Sequence, residues 1–111
     1  MATRDAFVAR VLSILNVTAS GQPIAAEDYD TVAERIAPTF DSLRARRFAP
    51  QIDPENIPDG LFEDLAECVA MRCADQFGAP FDQARMMAAE ERLRTSIGDQ
   101  PAYGPIQTTY F

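Results

Sequence analysis

The stretch with the strongest structural pattern runs from Ile57 to Phe77 and is closed by Gly78. Apolar side chains recur along it at spacings of one, three and four residues, which is the pattern of one helical face. They are Leu61, Phe62, Leu65, Val69, Cys73 and Phe77. Pro58 and Asp59 suit a first helical turn, and Gly78 can take the left-handed conformation that ends a helix. The stretch therefore predicts a central helix on which other helices pack.

Three more segments with a helical period flank this central helix, so the sequence predicts an all-α protein, a small four-helix bundle. The first should run from about Asp5 to Asn16, with Thr3 as its N-cap. The second starts near Ala26 and ends at the arginines of residues 44–47. Pro38 interrupts it, but the apolar period survives, which favours one kinked helix over two. The fourth should cover about Asp82 to Ile97 and lie antiparallel to the central helix.

The predicted core draws on all four helices. It includes Leu12, Ile36, Phe40, Leu61, Leu65, Val69 and Leu93. The apolar stripe of the first helix can form core or dock a partner, and core is the expected role. Residues 48–58 are rich in proline and predict an extended connector, with Phe48 and Ile52 tucked against the core.

The charge balance limits the classes of partner. Asp and Glu number 17 against 10 basic residues, all of them arginine, and the net charge is −7. This argues against general binding to nucleic acid, which requires cations to neutralise phosphates. No apolar run is long enough to span a membrane. Arg44, Arg46 and Arg47 form the one basic cluster. They either complement the negative end of a helix dipole or form a patch that pairs with an acidic neighbour or a phosphate.

The sequence offers little for catalysis or metal binding. It contains no histidine, the commonest general base and a frequent zinc ligand. Adjacent carboxylates at 63–64 and 90–91 point about 100° apart on a helix, which is typical of solvated faces rather than an acid/base couple. We therefore expect a protein that is not an enzyme and that holds no cofactor or metal.

The two cysteines, Cys68 and Cys73, lie five residues apart on the central helix. Their side chains point about 140° from each other, so they cannot form a disulfide. We expect both thiols to serve as small apolar core residues in a reducing compartment.

The last stretch, residues 98–111, has a different character from the helical bundle of residues 1–97. It has no helical period, yet it is rich in aromatic side chains, which disordered tails normally lack. Its large side chains are Tyr103, Ile106, Tyr110 and Phe111. Two interpretations remain open: the segment folds back over its own domain, or it is an extended arm buried on another subunit.

Three stretches of the sequence share a layout with a known family. They are residues 10–17 (RVLSILNV), 21–28 (GQPIAAED) and 61–80 (LFEDLAECVAMRCADQFGAP). An alanine-rich fourth helix and the aromatic tail follow them. With these features the chain resembles the head–tail connector proteins of tailed bacteriophages. These are also called adaptor or head-completion proteins and include the tail accessory factor of short-tailed phages. The resemblance covers nearly the whole chain through hydrophobic patterns, and it departs from the family at Pro38 and at the aspartate-proline connector.

The resemblance implies a structural virion protein. Such proteins form a ring under the portal, close the DNA-filled head and provide the platform for the tail. The implied partners are the portal protein, neighbouring copies in a ring that commonly matches the portal's twelvefold symmetry, and a tail or stopper protein. The implied location is the head–tail junction of the virion, with the host cytoplasm during assembly. A prophage or a gene transfer agent is equally compatible.

The resemblance also favours the arm interpretation of residues 98–111. The residues that it implies for contact with the portal or a neighbouring copy are Tyr103, Pro105, Ile106, Tyr110 and Phe111. Two rival functions remain. One is a DNA-binding helical module of the packaging machinery, similar to a small terminase subunit, against which the net charge speaks. The other is a cell-wall hydrolase, against which the lack of histidine speaks.

Overall fold

The computed structural model of the chain describes residues 2–17 and 23–98, with side chains up to residue 96. The helices are α1 (Arg4–Ile14), α2 (Ala26–Ala45), α3 (Asp59–Cys73) and α4 (Gln83–Gly98). A short 3-10 turn, Ala74–Phe77, extends α3, and Gly78 closes it with φ +68°. The described residues contain no strand, only one isolated bridge. The prediction of a four-helix, all-α fold is confirmed.

The ends of α1 follow from capping chemistry. The hydroxyl of Thr3 accepts a hydrogen bond from the amide of Ala6 at 3.2 Å, which confirms Thr3 as the N-cap. At the other end, Asn16 adopts φ +59°, and the amide of Val17 donates to the carbonyl of Leu12 at 3.0 Å. This left-handed closure ends α1 two residues before the predicted position.

The second helix continues through Pro38, as the apolar period predicts. Proline removes the backbone hydrogen bond to Glu34. Both residues are exposed, so water can hydrate the carbonyl of Glu34 and the helix need not break there.

The third helix is the centre of the fold, because it packs against α1, α2 and α4. With neighbours on several sides it is buried nearly all round, as a helix in the interior must be. The buried positions outside the predicted stripe are Ala66, Cys68, Ala70, Met71 and Ala74. Phe62 and Phe77, which the stripe includes, are half-buried at its edge. The prediction of a central helix is confirmed.

The core contains every member that the sequence predicts. Phe7 joins three helices, since its ring meets Phe40 and Phe62 edge-on at centroid distances of 5.7 and 5.6 Å. The apolar stripe of α1 is therefore core and not a docking surface. Such edge-to-face pairs add about 0.5–1.5 kcal/mol each beyond the apolar area that they bury.

The third and fourth helices are antiparallel, as predicted. Near the start of α3, Asp64 pairs with Arg92 at 2.8 Å, and near its end Met71 lies beside Asp82, just before α4. The fourth helix packs extensively on α3 alone. Its buried residues are Ala89, Glu90 and Leu93, while the side chain of Ile97 lies outside the described residues.

Residues 48–58 connect α2 to α3 without regular structure. Phe48 and Ile52 are half-buried and pack against the core, as predicted. The connector also pairs with the start of the chain. The amide of Ala2 donates to the carbonyl of Ile57 at 2.9 Å, and the amide of Ile57 donates to the carbonyl of Ala2 at 2.8 Å. Ile57 is completely buried. This pairing fixes where α3 begins.

Candidate interaction surface

The predicted basic cluster lies where α2 ends, and we call Arg44, Arg46 and Arg47 the arginine end. The backbone there closes with a Schellman motif: the amide of Phe48 donates to the carbonyl of Leu43 at 2.8 Å, and that of Arg47 to Arg44 at 3.0 Å. The motif places Arg47 at φ +65°. Glycine normally occupies this position because a Cβ atom disfavours the left-handed conformation.

Arg46 is held within the chain. Its guanidinium donates to the carboxylate of Glu90 on α4 at 2.8 Å and lies 5.0 Å from the ring centroid of Phe48. Glu90 is only 6% exposed. The prediction that Glu90 belongs to a solvated face is therefore wrong. Arg46 reaches across from the end of α2 and pairs with the carboxylate, which makes its burial tolerable.

The other two members of the arginine end are available for contacts. Arg44 and Arg47 are exposed, and in the described ranges neither has a carboxylate within ion-pair distance. Most other arginines are paired. Those with a carboxylate partner are Arg4, Arg10, Arg46, Arg85, Arg92 and Arg94. In a chain with a large excess of acids, two neighbouring unpaired arginines mark a surface that can accept a negative partner.

A cleft of about 220 Å³ adjoins the arginine end, between α2 and the connector. Arg44 and Asp41 are its charged lining, and Phe40 contributes an apolar wall. The remaining lining residues are Ala37, Gln51, Ile52 and Pro54. Ligand pockets usually measure about 300–1,000 Å³, so this cleft is small for a cofactor and suits a side chain or a turn of a partner. We call it the α2–connector cleft.

The opposite end of α2 is acidic, and we call Glu27, Asp28, Asp30 and Glu34 the acidic end. Glu27 and Asp28 lie in the first helical turn, where they complement the helix dipole. Neighbouring Tyr29 donates its hydroxyl to Asp5 on α1. That hydrogen bond raises the pKa of Tyr29, with burial as a second cause. In the described residues no arginine lies within ion-pair distance of the acidic end.

The acidic face of α3 is used for structure. Glu63 receives two hydrogen bonds from Arg10 on α1, at 2.7 and 2.9 Å. Glu67 accepts from Arg85 of α4. The residues described here contain no group of three or more potential metal ligands. These carboxylates connect α3 to its neighbours.

Both thiols are buried and free, as predicted. Burial raises the pKa of Cys68 to about 12 and that of Cys73 to about 11. A thiol needs its thiolate form to act as a nucleophile or metal ligand. Neither cysteine therefore offers reactive chemistry in the folded protein.

Two large apolar side chains are exposed near the start of α4: Phe81 at 51% and Met87 at 56%. Isolated exposed apolar residues are ordinary on protein surfaces. Of the described helices, none combines the length and apolar character needed to cross a lipid bilayer.

The predicted arm falls outside the described residues except for Gly98, which is the last residue of α4. The five arm residues proposed for partner contact therefore have no position in this structure. They are Tyr103, Pro105, Ile106, Tyr110 and Phe111. Comparisons of the chain with models of known protein families, with curated proteins and with solved structures find no match.

The α2–connector cleft could not be predicted from the sequence. The connector has no regular secondary structure, so no hydrophobic period shows which of its side chains face α2. The burial of Glu90, by contrast, has a signal. Glu90 follows Met86 by four residues and precedes Leu93 by three, so the helical period places it on the inner face of α4.

Proposed function

We propose that this chain is a structural virion protein, a head–tail connector that forms a ring on a portal. It would close the DNA-filled head and provide the platform for a tail or stopper protein. The proposal rests on the resemblance in residues 10–17, 21–28 and 61–80. It is supported by the four-helix fold, in which α1 and α3, the helices that contain the first and last of these stretches, pack directly on each other.

The chemistry of the described residues fits a scaffold better than an enzyme. Carboxylates on α3 and α4 that could serve as acid or base are paired with arginines. The thiols are buried, and the sequence has no histidine. The described surface offers opposite charges, which orient protein partners, and a cleft that can take a side chain or a turn of a partner.

The small terminase-like alternative has less support. Most arginines are engaged with carboxylates of the same chain, and the net charge is −7. A DNA-binding module needs a field of free cations along the phosphates. Arg44 and Arg47 make a small patch, and Asp41 lies beside it in the same cleft.

The arm is the proposed docking element. Thirteen residues follow Gly98, and at about 3.3 Å each they can extend roughly 43 Å, enough to cross onto a neighbour or the portal. Pro101 and Pro105 reduce the conformational freedom that the arm gives up on binding. Tyr110 and Phe111 are side chains of the kind that dominate interface energies.

The proposal is tested by native mass spectrometry of the chain mixed with rings of a portal protein from the genome that encodes it. We expect a complex whose copy number follows the portal's symmetry. A chain that does not bind the portal, or one that persists as a closed dimer in its presence, contradicts the proposal, since a twofold contact would occupy the surface that a ring needs.

The arm is tested by a chain that ends at residue 98. We expect its helicity and melting temperature to match the parent and its binding to the portal to be lost. Tyr110→Ala should weaken binding by at least about 1 kcal/mol if Tyr110 is a buried anchor. Thr109→Ala is the matched control in the same segment. A shortened chain that unfolds or aggregates would show that the arm belongs to its own domain's core.

A further inference from the structure

The exposed face of α2 carries opposite charges at its two ends. Glu27, Asp30 and Glu34 follow spacings of three and four residues, so they share one face of the helix. Arg44 lies in the last turn of the same helix, and Arg47 lies just past its end. Arg35 and Asp41, also exposed, lie between these sets and carry charges opposite to their nearer end. The helix therefore has an acidic end and an arginine end.

The two ends cannot neutralise each other within one chain. From Asp30 to Arg44 there are 14 steps of the helix, which at about 1.5 Å each is roughly 21 Å. The Debye length in physiological salt is about 8 Å, so the attraction across that distance is screened. In the described part of the chain no other oppositely charged side chain pairs with either set.

Helix-dipole compensation explains only part of this pattern. Its effect is confined to the first and last turns, which covers Glu27, Asp28 and Arg44. Asp30 and Glu34 lie deeper in the helix, and Arg47 lies beyond its end in a left-handed conformation that disfavours every residue with a Cβ atom.

We propose that the acidic end of α2 in one copy contacts the arginine end of α2 in the next copy, beside the α2–connector cleft. The inference deepens the proposed function and rests on it, since it names the lateral contact between neighbouring copies. The occupant is a second copy because this chain itself carries the complementary charge. Single exposed ion pairs contribute little. Here two arginines meet several acids beside the apolar wall of Phe40 and Ile52, and Asp41 in the same cleft reduces their attraction.

The contact is head-to-tail, so each copy uses two different surfaces. Such a heterologous interface repeats from copy to copy and closes into a ring when the rotation allows, or continues as a filament when it does not. A twofold dimer does not result from it.

The test is a charge exchange in the full chain, followed by sedimentation equilibrium at protein concentrations up to the order of 1 mM, where weak association is measurable. Arg44→Glu with Arg47→Glu should weaken self-association at least about tenfold, because like charges then face each other. Asp30→Arg with Glu34→Arg should do the same. These acids are chosen because they lie outside the first turn, so their reversal leaves the dipole compensation intact.

Restoration of self-association is the decisive test. A chain with all four reversals should associate within about threefold of the parent, because the complementarity is re-created with opposite sign. An equal mixture of the two double variants should also associate. The parent's association should be strong at about 0.01 M salt and weak at about 1 M, where the Debye length falls from about 30 to 3 Å. Asp75→Arg, an exposed reversal on the 3-10 turn, is the control for a charge reversal at a site away from α2.

A separate variant excludes misfolding as the cause. Arg47→Gly relieves the left-handed backbone position and should not lower the melting temperature, yet it should weaken association. A parent chain that stays monomeric at low salt overturns the proposal, as does an association that the reversals do not change or that the fourfold variant does not restore. Salt-sensitive binding of duplex DNA that disappears with Arg44→Glu and Arg47→Glu would assign the arginine end to DNA and also overturn it.

The inference and the proposed function fail separately. A chain that binds the portal but does not respond to charge exchange loses only the lateral contact. A chain that shows charge exchange but does not bind the portal remains a self-assembling protein, and the connector function is then wrong.

Discussion

The pair formed by Arg46 and Glu90 should contribute more to stability than any exposed ion pair of this chain. The side chain of Glu90 is 8% exposed and that of Arg46 is 41% exposed, with 2.8 Å between the charged atoms. The same guanidinium covers the ring of Phe48. The perturbation is Arg46→Ala, which leaves a buried carboxylate without its cation.

The expected loss lies between two limits. Removing one partner of a fully buried pair costs about 3–5 kcal/mol, whereas an exposed pair is worth about 0–1 kcal/mol. Because water reaches Arg46 but hardly reaches Glu90, we expect Arg46→Ala to lower the free energy of unfolding by about 2 kcal/mol. Part of this, about 0.5–1 kcal/mol, is the lost contact with Phe48.

The measurement is urea unfolding followed by circular dichroism, with the midpoint and the slope fitted separately. Glu90→Gln and the double variant complete a double-mutant cycle, for which we expect a coupling energy of about 1 kcal/mol. The matched control is the exposed pair of Glu91 and Arg94 on α4, whose side chains are 56% and 57% exposed. Arg94→Ala should leave the urea midpoint nearly unchanged, because an exposed pair contributes little. Equal effects of Arg46→Ala and Arg94→Ala, or no coupling between Arg46 and Glu90, would refute the reasoning.

Three further outcomes follow from the fold. Leu65→Ala removes a completely buried side chain from the central helix and should cost about 2–5 kcal/mol by leaving a cavity; an unchanged urea midpoint would contradict its place in the core. Because burial holds the pKa values of Cys68 and Cys73 at about 12 and 11, a disulfide reagent at about pH 8 should label them at the rate of unfolding rather than at the rate of a free thiol. The same raised pKa values stabilise the fold below the unfolded thiol pKa of about 8.5, and that contribution declines as pH rises towards 11–12. Fluorescence anisotropy with duplex DNA at physiological salt should show no micromolar binding, and steeply salt-dependent binding would favour the terminase-like alternative.

The sequence predicts the helices well because each has a clear period and local end signals. Thr3 caps α1, and Gly78 ends the α3 unit in the left-handed conformation, both as predicted. Where the boundaries differ, a residue other than glycine takes the left-handed position: Asn16 at the end of α1 and Arg47 after α2. The sequence alone does not predict that an arginine adopts the left-handed conformation, since the packing around Arg47 imposes it.

The candidate surface is harder to predict, because it depends on which elements meet in three dimensions. The sequence identifies Arg44, Arg46 and Arg47 as one cluster, but the fold separates their roles. Arg46 turns inward to Glu90, while Arg44 and Arg47 stay exposed. No local pattern contains this information, since Arg46 and Glu90 are 44 positions apart.

The fourth helix packs extensively only on α3 and is otherwise held by the ion pair of Arg46 with Glu90, which has a consequence for the order in which the native structure opens. An element with one extensive packing partner can detach once that ion pair breaks, and such cooperative units exchange their amide hydrogens before the global unfolding event. Cys68 lies within electrostatic range of Glu90 on α4, and Cys73 within that of Arg35 on α2. The two thiols therefore lie on different sides of α3, and the modification rate of each reports when its side becomes exposed. If Cys68 is modified before Cys73, and at the rate at which the amides of residues 83–98 exchange, then α4 is the first unit to unfold.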